Sequence, residues 1–233
     1  MKYEFDPNKW PDFETAEETC FLLANGLGGF CSLSVIGSNA RGDHALLMGA
    51  DPAPTRRYHM LTNVHETLKV GEMAFHLASQ RFAAPDRNLE GFRFLESFCY
   101  EYVPTWTYRA GDITIRKTIS MIHRFNGVIL YYSVCNAGED EALMEVVPLI
   151  RRTDKNLPYA PGMEKESDVP RLTVLTDGLY EEVPVTYSEP LYFSKDAPDG
   201  RDAEGICYTD HRITFRIPKG QHAFYIAYGM AEW

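Results

Sequence analysis

Apolar and polar residues alternate along most of this chain. In 106–124, WTYRAGDITIRKTISMIHR, two alternating runs flank a Gly111-Asp112 turn, and Ile113, Ile115, Ile119 and Met121 mark the apolar side. A period of two belongs to a strand with one covered face. The stretch 125–150, FNGVILYYSVCNAGEDEALMEVVPLI, gives an Asn126-Gly127 turn, a strand, a turn at Asn136-Ala137-Gly138 and another strand. Both sides of Val128 to Val134 are apolar, which predicts a strand covered on both faces. The same pattern predicts strands at 43–50, 56–68, 73–82, 92–102, 171–187, 212–217 and 222–229. Sustained helical periodicity is missing; residues 13–19 are expected to make one or two turns of helix. Many short strands with regular turn punctuation predict an all-β fold, a large two-sheet sandwich. Two polar stretches, 151–170 and 194–211, read as long loops. No repeat or linker divides the chain, so residues 1–233 are expected to form one domain.

The stretch 21–35, FLLANGLGGFCSLSV, places three glycines within four positions and raises the question of a phosphate site. A dinucleotide fingerprint needs a third glycine where Cys31 stands, and a helix afterwards. The run Phe30 to Ile36 reads as strand instead, and no Gly-Lys-Ser/Thr tripeptide of a P-loop occurs. Asn25-Gly26 is therefore expected to turn the chain between two strands.

Charge narrows the partners. The formal net charge is −10 over 233 residues, which argues against nucleic acid or an anionic membrane. An aromatic fraction of 13% suits a β-protein or a sugar binder. Five cysteines (Cys20, Cys31, Cys99, Cys135, Cys207) form no C-x-x-C pair and read as free thiols in a reducing compartment. The acidic N-terminus lacks an apolar h-region, and no apolar stretch approaches the roughly 20 residues of a membrane helix. These features point to a cytoplasmic protein.

Catalytic signatures are sparse. Seven histidines include no H-E-x-x-H or H-x-H spacing, so neither metal nor other cofactor is expected. A G-x-S-x-G elbow is also missing. Arg41-Gly42-Asp43 spells the integrin tripeptide but reads as an ordinary turn.

The stretch ETCFLLANGLGGFCSLSVIGSNARGDHALLM resembles the opening of the N-terminal domain of bacterial and archaeal glycogen debranching enzymes, the amylo-α-1,6-glucosidase family. Leu22 to Phe30 matches the family's Leu-Leu-x-Asn-Gly-Leu-Gly-Gly-Tyr/Phe block. Asn39, Arg41, His44, Leu46 and Leu47 match its second block, Asn-Thr-Arg-Arg-Tyr-His-Gly-Leu-Leu. Gly42-Asp43 stand where the family has Arg-Tyr, and Ala45 where it has glycine. Further blocks, NVHETLKV, GFRFLESFCYEYVPTWTYRAGDITIRKTISMIH and VVPLIRR, follow in the family's order, so the likeness covers most of 17–152.

The resemblance implies a galactose-mutarotase-like β-supersandwich that precedes an α/α-toroid carrying the catalytic carboxylates. That second domain is absent from this sequence, which stops straight after a strand-like run. The expected function is that of a non-catalytic domain, packing on the catalytic domain of the same natural chain and aiding α-glucan or malto-oligosaccharide binding. The alternative is an independent sugar-acting enzyme of the aldose epimerase kind, with a His acid and a Glu base. Arg41 and His44 are expected on the face that meets the catalytic domain, with Arg57 and His59 nearby. The bland alternative is that Arg41 and Asp43 bridge across their turn. Trp106, Tyr58 and Tyr159 are the aromatics expected to stack on sugar.

Overall fold

The computed structural model describes residues 3–5, 12–156, 169–196 and 204–230. Tyr159 lies outside them. The strands are β1 (Tyr3–Phe5), β2 (Cys20–Ala24), β3 (Phe30–Ser34), β4 (Ala45–Ala50), β5 (Arg57–Val70) and β6 (Met73–His76). They continue with β7 (Ser79–Gln80), β8 (Leu89–Glu90), β9 (Leu95–Tyr100), β10 (Pro104–Ala110), β11 (Ile113–Met121) and β12 (Gly127–Asn136). The last are β13 (Ala142–Asp154), β14 (Thr173–Asp177), β15 (Tyr180–Tyr192), β16 (Glu204–Ile217) and β17 (Gly220–Gly229). The single turn of helix α1 (Phe13–Ala16) is capped by Asp12, whose carboxylate accepts from the Thr15 amide at 2.9 Å.

Two antiparallel sheets face each other. One has the order β1-β9-β10-β11-β12-β17-β14, the other β15-β16-β13-β5-β4-β3-β2, with β6 added to β5. The fold is thus the expected all-β sandwich. Ile113, Ile115, Ile119, Leu130, Tyr132 and Ile226 of the first sheet pack against Val64, Leu68, Met144, Val146, Ile213 and Phe215 of the second. Phe215 and Phe224 stack across the gap with ring centroids 3.8 Å apart.

Three readings of the pattern change. Val128 to Val134 is covered on one face only: Val128, Leu130, Tyr132 and Val134 are buried, while Tyr131 points outward and is exposed. β13 runs on through Asp154 and β16 begins at Glu204, so the first four residues of one expected loop and the last eight of the other are strand. The segment 171–187 divides, because Gly178 takes a left-handed φ of +120° and turns the chain from β14 in one sheet to β15 in the other.

The glycine block is a turn joining β2 to β3. Asn25 organises it: its Oδ1 accepts from the amides of Leu27 (2.8 Å) and Gly29 (3.0 Å), and its Nδ2 donates to Asn126 Oδ1 (2.8 Å) and the Phe125 carbonyl (3.1 Å). Asn126 in turn holds Ala50 through both its amide and its carbonyl. The turn is thereby fastened to both sheets. Gly28, at φ +95°, lies against Pro54 so closely that a Cβ would fall 2.8 Å from the proline Cβ.

Candidate functional site

The second block forms the loop between β3 and β4, and most of it is interior. Asn39 Nδ2 donates to the carbonyls of His44 (2.9 Å) and Thr62 (3.0 Å), while its Oδ1 accepts from Asn63 (2.8 Å). Glu17, just past α1, is buried and accepts from Ser38 (2.7 Å) and Ser194 (2.6 Å); its carboxylate also lies 3.2 Å from Arg81 Nε. A buried carboxylate with a cation and two hydroxyls is well compensated.

At the tip of this loop, Arg41 and Asp43 do not bridge to one another. Arg41 Nη1 lies 3.6 Å from Asp196 Oδ1, and Asp196 Oδ2 accepts from the Gly42 amide at 2.6 Å. Asp43 instead pairs with Lys155 at 3.2 Å. A Cβ on residue 42 would stand 3.3 Å from the Asp196 carboxylate and 3.6 Å from the Phe193 ring. The departure from the family's Arg-Tyr pair therefore coincides with a close backbone approach to Asp196.

Burial sorts the expected site residues. His44 is interior: its Nδ1 accepts from the Ala40 amide at 3.2 Å, and burial, with Arg41 adding to it, lowers its pKa to about 4. His59 is buried beside Thr62 (2.9 Å), and desolvation, then Arg151 and Lys155, holds its pKa well below the usual value. Tyr58 is buried under the Arg56 guanidinium, 4.9 Å from the ring centroid. Trp106, expected as an exposed platform, is 1% exposed, and its indole N–H donates to the Val35 carbonyl at 2.7 Å. These four side chains are interior for different reasons: Trp106 takes an inward position on β10, Tyr58 and His59 fall in a stretch of β5 covered on both faces, and His44 lies in the buried loop before β4.

Arg41 and Arg57 reach the surface. Arg57 Nε donates to the Gly28 carbonyl at 2.7 Å, and the Arg57 carbonyl accepts from the Lys155 amide at 2.9 Å. Lys155 thus joins the Asp43 turn to the glycine turn, and Arg41, Asp43, Lys155, Arg57 and the glycine block form one connected region. Among the described residues no cluster of His, Cys, Asp and Glu could hold a metal ion, and no helix is long and apolar enough to cross a membrane.

A separate cleft of about 290 Å³ opens where β14 and β15 diverge. Its polar walls are Arg152, Glu182, Asp210, His211 and Tyr228, and its apolar ones include Ile150, Leu172 and Val174. His211 Nδ1 lies 2.6 Å from Asp210 Oδ1, and its ring centroid is 6.3 Å from that of Tyr228. Arg152 is held by the carbonyls of Pro170 (3.0 Å) and Val169 (3.3 Å). The buried His211 Nε2 and Tyr228 hydroxyl have no hydrogen-bond partner among the described residues. Burial, then the charges of Asp210 and Glu182, raises the Tyr228 pKa, so the hydroxyl keeps its proton. Sequence reading passed over this cleft. Its residues come from five strands without a common spacing, and Asp210-His211 fell within an expected loop.

Two stacked antiparallel sheets packed around a large apolar core, with a smaller cluster at Phe82, Leu149, Leu191, Phe193 and Cys207, place the chain among the large β-sandwich proteins. The family model described as "Glycogen debranching enzyme N terminal" matches residues 19–224, and the chain belongs to that family. No curated protein matches it. Among solved structures, a bacterial glucoamylase complexed with acarbose is similar over 93% of this chain and 31% of its own, with 10% sequence identity and a TM-score of 0.32. The chain thus spans about a third of that glucoamylase.

Proposed function

We propose that this chain serves as the non-catalytic N-terminal domain of a glycogen debranching enzyme, a cytoplasmic glycoside hydrolase acting on α-1,6 branch points of α-glucans. The family match over 19–224 carries this reading. In it, the domain packs on the catalytic domain of the same natural chain through the region of Arg41, Asp43, Lys155 and Arg57. Arg41 suits such a contact: its side chain is 41% exposed, yet Asp196 pre-orients it. A guanidinium held this way loses little entropy when it meets a partner's carboxylate or carbonyl.

The test compares this chain with the protein read from the full open reading frame, using a branched limit dextrin. This chain should release no glucose, and the full protein should. Arg41→Ala in the full protein should lower activity while leaving this domain's melting temperature nearly unchanged. Glucose release by this chain, abolished by one Asp or Glu substitution, would overturn the reading.

A second reading, a sugar-acting enzyme of the aldose epimerase kind, draws support from His211 and Glu182 lining one cleft. Polarimetry on freshly dissolved α-glucose separates the two, because an epimerase accelerates mutarotation and loses that activity on Glu182→Gln.

A further inference from the structure

We infer that the cleft between β14 and β15 binds one terminal sugar ring of a neutral saccharide, with Tyr228, His211, Asp210 and Glu182 as its hydrogen-bonding groups. A buried hydroxyl and a buried ring nitrogen without partners are costly, and Tyr228 and His211 bring one of each to the same cleft, with ring centroids 6.3 Å apart. A ligand carrying hydroxyls satisfies both, since each hydroxyl donates and accepts.

The rest of the lining fits the same ligand. Glu182 and Asp210 are acceptors for sugar O–H groups and repel phosphate or carboxylate. Arg152, fixed by two backbone carbonyls, offsets their charge without filling the cavity. Ile150, Leu172 and Val174 offer an apolar wall to the C–H face of a pyranose. A volume of about 290 Å³ stands at the lower end of the ~300–1,000 Å³ range of small-ligand clefts, so it suits a chain end better than a chain interior. That the saccharide is an α-glucan rests on the function proposed above; that it is neutral and polyhydroxylated rests on the cleft alone.

The test is titration of this chain with maltotriose, xylotriose and glucose 1-phosphate, followed by amide NMR shifts and melting temperature. Maltotriose should shift the amides of 172–174, 182, 208–211 and 228, and Asp210→Asn or Tyr228→Phe should weaken it about tenfold. Tyr228→Phe removes an unpartnered hydroxyl, so its melting temperature should hold or rise, which separates lost binding from lost folding. Shifts with xylotriose alone would keep the cleft and overturn the α-glucan assignment. Tighter binding of glucose 1-phosphate, or no shift with either neutral sugar at millimolar concentration, would overturn the site itself, whatever the debranching assay shows.

Discussion

Lys117 of one sheet and Glu66 of the other form an ion pair inside the sandwich, with both side chains buried. Tyr132 donates its hydroxyl to the same Glu66 oxygen at 2.8 Å, and the Lys117 ammonium lies 5.7 Å from the centroid of the Trp106 ring. Each charge occupies an inward position on a strand that is otherwise apolar there. Sliding either sheet by two residues would set a charge against aliphatic carbon, so the pair opposes other registers.

Removing one partner strands the other. Lys117→Met is expected to cost roughly 3–5 kcal/mol in urea unfolding, and the double variant Lys117→Met/Glu66→Gln should recover most of it. A single-variant loss under about 1 kcal/mol would mean that water already screens the pair.

The glycine turn makes a backbone prediction. Gly28→Ala brings both a left-handed φ and a collision with Pro54, whereas Gly71, at φ +56°, has nothing within 4 Å of its would-be Cβ. Gly71→Ala should cost about 1 kcal/mol, and Gly28→Ala clearly more. Equal losses at the two positions would show that Pro54 gives way freely.

Stability should fall as pH drops below the ordinary histidine range. His44 and His59 are buried and His65 is half-buried; His44 titrates at about 4 and His65 at about 3, both chiefly because of desolvation. Below about pH 6.5 the unfolded chain takes up protons that the folded chain refuses, so the loss runs from there down to the folded values. Each histidine contributes a slope of about 1.4 kcal/mol per pH unit. Urea unfolding between pH 7 and 5 measures it, and a flat profile would place these rings in contact with water.

Thiol reactivity should follow burial. Cys31 is pushed up to about 12 and Cys207 to about 11, both by desolvation, and both side chains are enclosed. An aromatic disulfide reagent at mildly alkaline pH should label Cys20, which is exposed, and spare Cys31 and Cys207 until denaturant is added. Rapid native labelling of Cys207 would reveal local opening near β16.

What the chain disclosed about itself follows from distance along it. Ile113, Ile115 and Ile119 lie inward as their alternation predicts, and Asn25-Gly26 turns as its local chemistry predicts. Lys117 shares that inward file, but what makes it tolerable, Glu66, comes from another sheet and leaves no local trace. Trp106 fails as a surface aromatic for a related reason: its N–H is satisfied by Val35, far from it in sequence. The cleft was the least legible feature, since Arg152, Glu182, Asp210 and Tyr228 meet only after four strands have paired.

The turn at Gly178-Leu179 makes the two lips of the cleft one continuous piece of chain, hinged at a corner where Phe215 and Phe224 approach Gly178. Whatever enters must either fit the angle set at that corner or bend it. A ligand that touches both lips therefore ties the two sheets together at this corner, and amide exchange there should slow when the cleft is filled.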